Sequence, residues 1–147
     1  MAKLEHCISI EDLRVLGKKK IPRVVCDYID GGSEDEITLQ RNKSIFNSIQ
    51  FVPRVLQDVK NINLGKKING VESSMPIVCA PTGLTRMFHY QGEPAVIKAA
   101  HEAGIPYTLS TVSTTSIEDV AACSDGNRFF QVYIWHNREW VFKFIDR

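Results

Sequence analysis

No window of the sequence approaches about eighteen uninterrupted apolar residues, the length a membrane-spanning helix needs. The amino terminus also has no basic start followed by an apolar stretch, so neither an export signal nor a span is encoded here. Peripheral contact with a membrane stays open. Charge of one sign is equally lacking: 18 Lys and Arg stand against 17 Asp and Glu, and the formal net charge is +1. Such a chain has no global field to gather nucleic acid or an anionic bilayer. The one basic run, Lys18-Lys19-Lys20, reads as a solvated connector between two helices.

Cysteine and histidine are sparse and scattered. Cys7, Cys26, Cys79 and Cys123 form no C-x-x-C pair and have no accompanying histidine cluster, which argues against zinc and against a small disulfide framework. Reduced, mostly buried thiols are the expectation. His6, His89, His101 and His136 have no neighbour at ligand or relay spacing, so pattern alone singles out no general base and no metal site. The chain also lacks G-x-G-x-x-G, the fingerprint of a Rossmann dinucleotide site.

What is present is an ordinary globular composition, 44% hydrophobic and 24% charged over 147 residues, enough for one domain with a real core. Ser9-Ile10-Glu11-Asp12 reads as an N-cap with an acidic first turn, followed by an apolar face at Leu13 and Leu16 before Gly17. A second helix opens with Pro22 at its first position and runs through Tyr28 and Ile29 to the Gly31-Gly32 stop. Ser33 with Glu36 makes a capping box for a third, continuing through Ile37, Leu39 and Ile45. Extended pieces at Asn63-Leu64 and Lys67-Ile68 flank Gly65, and Asn69-Gly70 is a strong turn signal, so a small hairpin is expected next.

From Met75 onward the pattern becomes a strand–helix repeat. Strands are expected at Ile77 to Ala80, Tyr107 to Ser110 and Phe129 to Ile134. Helices are expected from Glu93 to Ala103 with Gly104 as cap, from Ser116 through Ala122, and from Asn137 onward with Trp140, Val141, Phe144 and Ile145 on one side. The last of these meets no Gly, Pro or other stop before Arg147, so the chain is expected to end inside an element. Three strands cannot close an eight-stranded barrel, which takes roughly 250 residues. Two readings remain, the amino-terminal portion of a longer protein or a small open-sheet domain.

In parallel α/β folds the loops after the strand C-termini carry the chemistry. Pro81-Thr82-Gly83 follows the first strand directly, where a glycine allows close approach to the backbone, although plain turns carry the same residues. Ser110 ends the second. Gln131 and Tyr133, two apart on the third, share a face, while Phe130 and Val132 take the other. Spacing alone leaves open whether that amide and phenol meet a ligand or neighbouring backbone. Tyr28, near a helix end, reads on pattern as a core anchor.

Taken together, these motifs resemble the FMN-dependent 2-hydroxy acid dehydrogenases and oxidases, most of all the bacterial L-lactate type. The resemblance runs from about Ile10 onward and rests on Asp27-Tyr28-Ile29-Asp30-Gly31-Gly32, Ala80-Pro81-Thr82-Gly83, Leu109-Ser110-Thr111 with Ser116 to Ala121, and Phe130-Gln131-Val132-Tyr133. It implies the first part of a TIM (β/α)8 barrel, an α/β fold, with short helices and a hairpin over residues 1–74 and three strand–helix units over 75–147. It implies FMN at the strand C-termini, lined by Pro81, Thr82 and Gly83 near the flavin N5 edge and hydrogen-bonded by Ser110 and Gln131. Tyr28 would bind the substrate carboxylate. Tyr133 would sit against the substrate oxygen as substrate-binding and catalytic group.

The reaction so implied is oxidation of an (S)-2-hydroxy acid to the 2-oxo acid, with quinone or oxygen as final acceptor. The family's histidine base, arginines, lysine and phosphate-binding loops match nothing in these residues, so the chain alone is expected to be inactive. A homo-oligomer at full length, no nucleic-acid partner, no metal, and a cytoplasmic site, peripheral on the inner face of the cell membrane in some members, complete what the resemblance implies. Gly83 and Val112 look like the lactate and mandelate dehydrogenases, since glycolate oxidases usually carry alanine and tryptophan there. A non-catalytic, self-associating half-barrel is the alternative from another class. An FMN-dependent isomerase is a third, against which Tyr28 weighs.

Overall fold

The structure, a computed structural model, describes residues 4–147. The chain divides into two compact units, Met1–Val59 and Lys60–Arg147, so the expected hairpin falls with the strand–helix repeat.

In the first unit a 3-10 turn at Leu4–His6 precedes α1 (Ile10–Lys18), α2 (Arg23–Asp30) and α3 (Ile37–Ser44), with a second 3-10 turn at Ile45–Ser48. Ser9 caps α1 as its sequence predicts. Its hydroxyl accepts from the Asp12 amide at 3.2 Å while the Asp12 carboxylate accepts from the Ser9 amide at 3.0 Å. Gly17 does not stop this helix, which runs one residue further. Pro22 stands at the N-cap of α2 rather than inside it.

Between α1 and α2 lies an ionic clamp. Arg14 Nε donates to Asp30 Oδ1 at 2.8 Å and its Nη1 to Glu11 at 2.6 Å, while Lys18 pairs with the other Asp30 oxygen. Hydrogen bonds from Arg14 and then Lys18 hold the Asp30 carboxyl at about 2, well under its usual range. Buried Cys26 on α2 points its thiol at the Lys18 and Ile21 carbonyls.

The Ser33–Glu36 capping box does not form. Glu36 itself occupies the N-cap of α3, in the left-handed region at φ 57°, so Ser33 lies three residues too early to cap. The Glu36 carboxylate instead accepts from the Gly32 amide at 3.0 Å. Ile45, expected within α3, opens the following 3-10 turn.

The second unit opens with the hairpin β1 (Lys66–Ile68) and β2 (Val71–Ser73), joined by Asn69-Gly70 with φ of 46° and 87°, the mirror-image turn that the sequence called for. Asn63-Leu64 is not part of it: the Asn63 side chain accepts from the Gly65 amide and closes a local turn instead. The parallel part follows with α4 (Gly92–Glu102), β3 (Tyr107–Ser110), α5 (Ile117–Cys123), β4 (Arg128–Gln131) and α6 (Arg138–Ile145). β3 and β4 pair in parallel from Tyr107↔Arg128 to Ser110↔Gln131.

Two strand expectations need correction. The first, Ile77 to Ala80, is reduced to one parallel bridge, Cys79↔Tyr107, in which Cys79 N–H donates to Pro106 and Thr108 N–H donates to Cys79. Pro76 and Pro81 bracket it without amides to offer, so the ladder cannot lengthen. The third strand ends at Gln131, short of Ile134, because the chain turns there onto the Thr111 side chain.

Packing supplies the rest. Ile97 and Ala100 on α4, Tyr107 and Leu109 on β3 and Val120 on α5 form the buried core, with Cys79 and Phe130 against it. Gly104, at φ 67°, ends α4 as predicted: the Ile105 amide donates to Ala100 and that of Gly104 to His101, satisfying the last carbonyls. On α6 only Val141 is buried. Phe144 stacks on Phe130 at 6.3 Å, whereas Trp140 and Ile145 stay mostly exposed. All four cysteines are free thiols, but only Cys26 is buried and the others are half-buried. No helix among the described residues is long and apolar enough to cross a membrane.

Ile97→Ala is expected to lower the stability of the second unit by about 2–5 kcal/mol through the cavity it leaves. A urea-denaturation midpoint equal to the wild type would show that this face of α4 is not core.

Candidate functional site

Parallel pairing puts the carboxyl ends of β3 and β4 side by side. Ser110 lies opposite Gln131, and its hydroxyl donates to Gln131 Oε1 at 3.4 Å, as does the Thr111 amide at the same distance. The Val112 amide in turn donates to Ser110 Oγ at 3.3 Å. The Gln131 carbonyl oxygen is therefore occupied. Its NH2 group has no hydrogen-bond partner among the described residues, so two donors remain to be used.

Thr111 organises what comes after β4. Its hydroxyl donates to the Gln131 carbonyl and accepts from the Tyr133 amide at 3.1 Å, spanning the bend that takes Tyr133 off the strand. Tyr133 and Gln131 do not share a strand face, then, as alternation predicts. A side-chain hook on the neighbouring loop places Tyr133, whose ring is half exposed.

The segment after Cys79 is laid along the β3–α5 loop. Leu84 N–H donates to the Val112 carbonyl at 3.1 Å, and a Cβ built on Gly83 would lie 2.5 Å from Val112 Cγ2. Glycine at 83 is thus favoured by a protein neighbour, since any larger residue would have to displace the Val112 side chain. Pro81 and Thr82 are exposed beside it. Pro81, Thr82, Gly83, Ser110 and Gln131 accordingly lie at one end of the parallel array, with Tyr133 just beyond. Tyr28 belongs to the first unit, exposed near the end of α2 rather than buried as a core anchor.

Sequence reasoning missed a buried carboxylate. Glu93, in the first turn of α4, is fully buried and accepts from the Thr114 amide, the Thr114 hydroxyl and the Thr115 hydroxyl, each at 2.7 Å. The Thr85 hydroxyl lies 3.3 Å from that of Thr114. Burial alone pushes the Glu93 pKa up, but the hydrogen bonds from Thr114, Thr115 and Thr85 together outweigh it and bring it to about 2. No Lys or Arg pairs with it among the described residues. The only outward sign was the hydroxyl-rich run Ser113-Thr114-Thr115-Ser116, whose partner lies about twenty residues upstream. Tyr107, fully buried with its hydroxyl unpartnered, is pushed up to about 12 by burial and then by Glu93 and Cys79, and stays a neutral phenol.

His101 and Ser124, with Nδ1 and Oγ 2.6 Å apart, meet at the end of the array where the strands begin, away from this site. Among the described residues no three His, Cys, Asp or Glu gather as a metal site would require.

Residues 17–147 match the family described as FMN-dependent dehydrogenase. A Mycobacterium tuberculosis protein named provisionally as an L-lactate dehydrogenase is 42% identical over 138 residues, covering 93% of this chain and 33% of that protein. Glycolate oxidase of Spinacia oleracea is 41% identical over 139 residues, covering 95% and 38%. Among solved structures, a soluble mutant of the membrane-associated (S)-mandelate dehydrogenase from Pseudomonas putida superposes with a TM-score of 0.88 at 38% identity, covering 96% of this chain and 41% of that one. The chain therefore spans about a third to two fifths of the length of these relatives.

Gly83→Ala is expected to destabilise the loop by about 1–3 kcal/mol through the clash with Val112. Adding Val112→Ala should recover much of that loss in denaturant melts, and strict additivity of the two changes would show that the contact does not matter. Glu93 sets a second expectation. Its folded pKa lies below the ordinary value of 4.5, so its contribution to stability is complete above that value and is lost as pH falls toward about 2. Glu93→Gln should lower the urea midpoint near neutral pH and flatten its fall through that acid window; an equally steep fall would assign the acid sensitivity to other carboxylates.

Proposed function

We propose, since this chain belongs to the FMN-dependent dehydrogenase family, that it supplies the flavin-edge and substrate-binding side of an enzyme oxidising an (S)-2-hydroxy acid, with L-lactate the first choice. The observation that carries the reading is the pairing of Ser110 with Gln131 at the strand ends, with the Gln131 NH2 left as an unspent donor. The residues present fit the flavin: a polar ring edge needs donors and acceptors held in one plane, and a carboxamide pinned at its oxygen by two hydrogen bonds is held that way. When bound, FMN accepts two electrons with the α-hydrogen of the substrate.

This chain's own residues bind and orient. Gln131 and Ser110 would hydrogen-bond the ring's polar edge, with the backbone of Pro81, Thr82 and Gly83 along the reactive side. Tyr28 would hold the substrate carboxylate by its hydroxyl. Tyr133 would donate to the substrate oxygen as it becomes a carbonyl, a role a phenol can fill without ionising near neutral pH. Balance requires that the alcohol lose its α-hydrogen with two electrons and its hydroxyl proton, leaving the 2-oxo acid.

The same reading makes residues 75–147 the first strand–helix units of a closed (β/α)8 barrel and residues 1–74 its preceding helices and hairpin. What supports it is the fraction of each relative that the chain spans. A homo-oligomer, a cytoplasmic location peripheral to the membrane, and quinone or oxygen as acceptor belong to the same proposal. The membrane-associated mandelate dehydrogenase among the structural relatives supports the second of these. Lactate is preferred over glycolate because Gly83 and Val112 resemble the lactate and mandelate dehydrogenases, whereas glycolate oxidases usually carry alanine and tryptophan there.

The test uses the longest natural polypeptide that carries residues 1–147. Tyr133→Phe should lower turnover with L-lactate by roughly one to two orders of magnitude, and an unchanged rate would remove Tyr133 from the chemistry. Oxidation of mandelate or glycolate but not lactate would overturn the substrate choice. No oxidation of any 2-hydroxy acid would overturn the whole reading.

A further inference from the structure

Glu93 is a fully buried anion that none of the roles above uses, and it sits where two loops meet. Its carboxylate binds Thr114 and Thr115, in the loop that leaves β3 after Ser110, Thr111 and Val112. Thr114 in turn meets Thr85, in the 3-10 turn that follows Pro81-Thr82-Gly83. The same two loops touch again through Leu84 and Val112, and through Gly83 against Val112. Glu93, Thr114 and Thr85 therefore form a polar chain behind the point where the loops run together.

The donor count explains why a carboxylate is used. Three donors converge on the two Glu93 oxygens, and only an ionised carboxylate is acceptor on both sides. A glutamine that keeps its Oε1 on the Thr114 amide turns an uncharged NH2 toward the Thr114 and Thr115 hydroxyls, which must then accept instead of donate, and the opposite flip sets that NH2 against the Thr114 amide, donor against donor.

We propose that Glu93 is a positioning residue that sets the spacing between the Pro81–Gly83 and Ser110–Val112 loops, and through that spacing the affinity for the flavin whose ring they would line. This rests on the flavin site proposed above. A merely structural Glu93 would anchor α4 to the β3–α5 loop and affect stability alone, so the two roles differ in what happens to FMN.

The experiment titrates FMN into the apo form of the longest natural polypeptide carrying residues 1–147, read by flavin fluorescence quenching and by the visible circular dichroism of the bound ring. Glu93→Gln and Thr115→Val are each expected to weaken FMN binding by about tenfold and to alter the dichroism. Thr115→Ser, which keeps the hydroxyl, should bind as the wild type does. Ile97→Ala is the control for stability alone: it loosens the core and should leave FMN affinity within about twofold. Wild-type affinity and dichroism in both Glu93→Gln and Thr115→Val would overturn the proposal, as would an equal loss in Ile97→Ala. If Glu93→Gln does not fold, the contrast between Thr115→Val and Thr115→Ser decides. A wild type that takes up no FMN would instead overturn the flavin site itself, a result separate from either.

Discussion

The parallel register of β3 and β4 is the constraint from which the strand-end geometry follows. With Tyr107 opposite Arg128 and Ser110 opposite Gln131, the pairing ends in two polar side chains that meet each other, while Leu109 and Phe130 one step earlier go to the apolar side. A slip of one residue would exchange those faces, pushing the Gln131 amide toward the core and Phe130 into solvent. The apolar burial of Leu109, Tyr107 and Val120 therefore also aims Ser110 and Gln131. Packing and site geometry are in this sense one problem.

Around that sheet end the loops are held by polar bonds. The Thr111 hydroxyl fastens the chain beyond β4, Val112 seats against Gly83, and Glu93 gathers the hydroxyls behind them. The hydroxyls of Thr111, Thr114 and Thr115 are thereby engaged within the protein. The Gln131 NH2 stands out as the donor group left over. Its being held at one end and free at the other distinguishes it from an ordinary polar strand end.

Features written in neighbouring residues were legible from the chain alone. The Ser9 cap, the Asn69-Gly70 turn, the Gly104 helix end and the whole of β3 depend on short-range chemistry and were read correctly. Features that depend on a distant partner were not. Tyr133 left its strand because the hydroxyl of Thr111, more than twenty residues away, accepts from its amide. Some local signals were passed over as well: Pro76 and Pro81 deny the first strand amides on either side. Ser33 failed as a cap because the Glu36 carboxylate found the Gly32 amide. Of the site, the strand-end positions were visible as residue types, but Glu93 looked like a routine acidic first turn, and Gly83 looked like room for a ligand when its first neighbour is Val112.

The clamp between α1 and α2 bears on how this corner can vary. Asp30 accepts two cations, Arg14 and Lys18, that stand one helical turn apart on the preceding helix. Were position 30 to become neutral, Arg14 would keep only Glu11 and Lys18 would lose this carboxylate, so the ionic hold of α1 on α2 would go with it. Asp30 of the Asp27–Gly32 motif thus serves α1, a partner within the same unit.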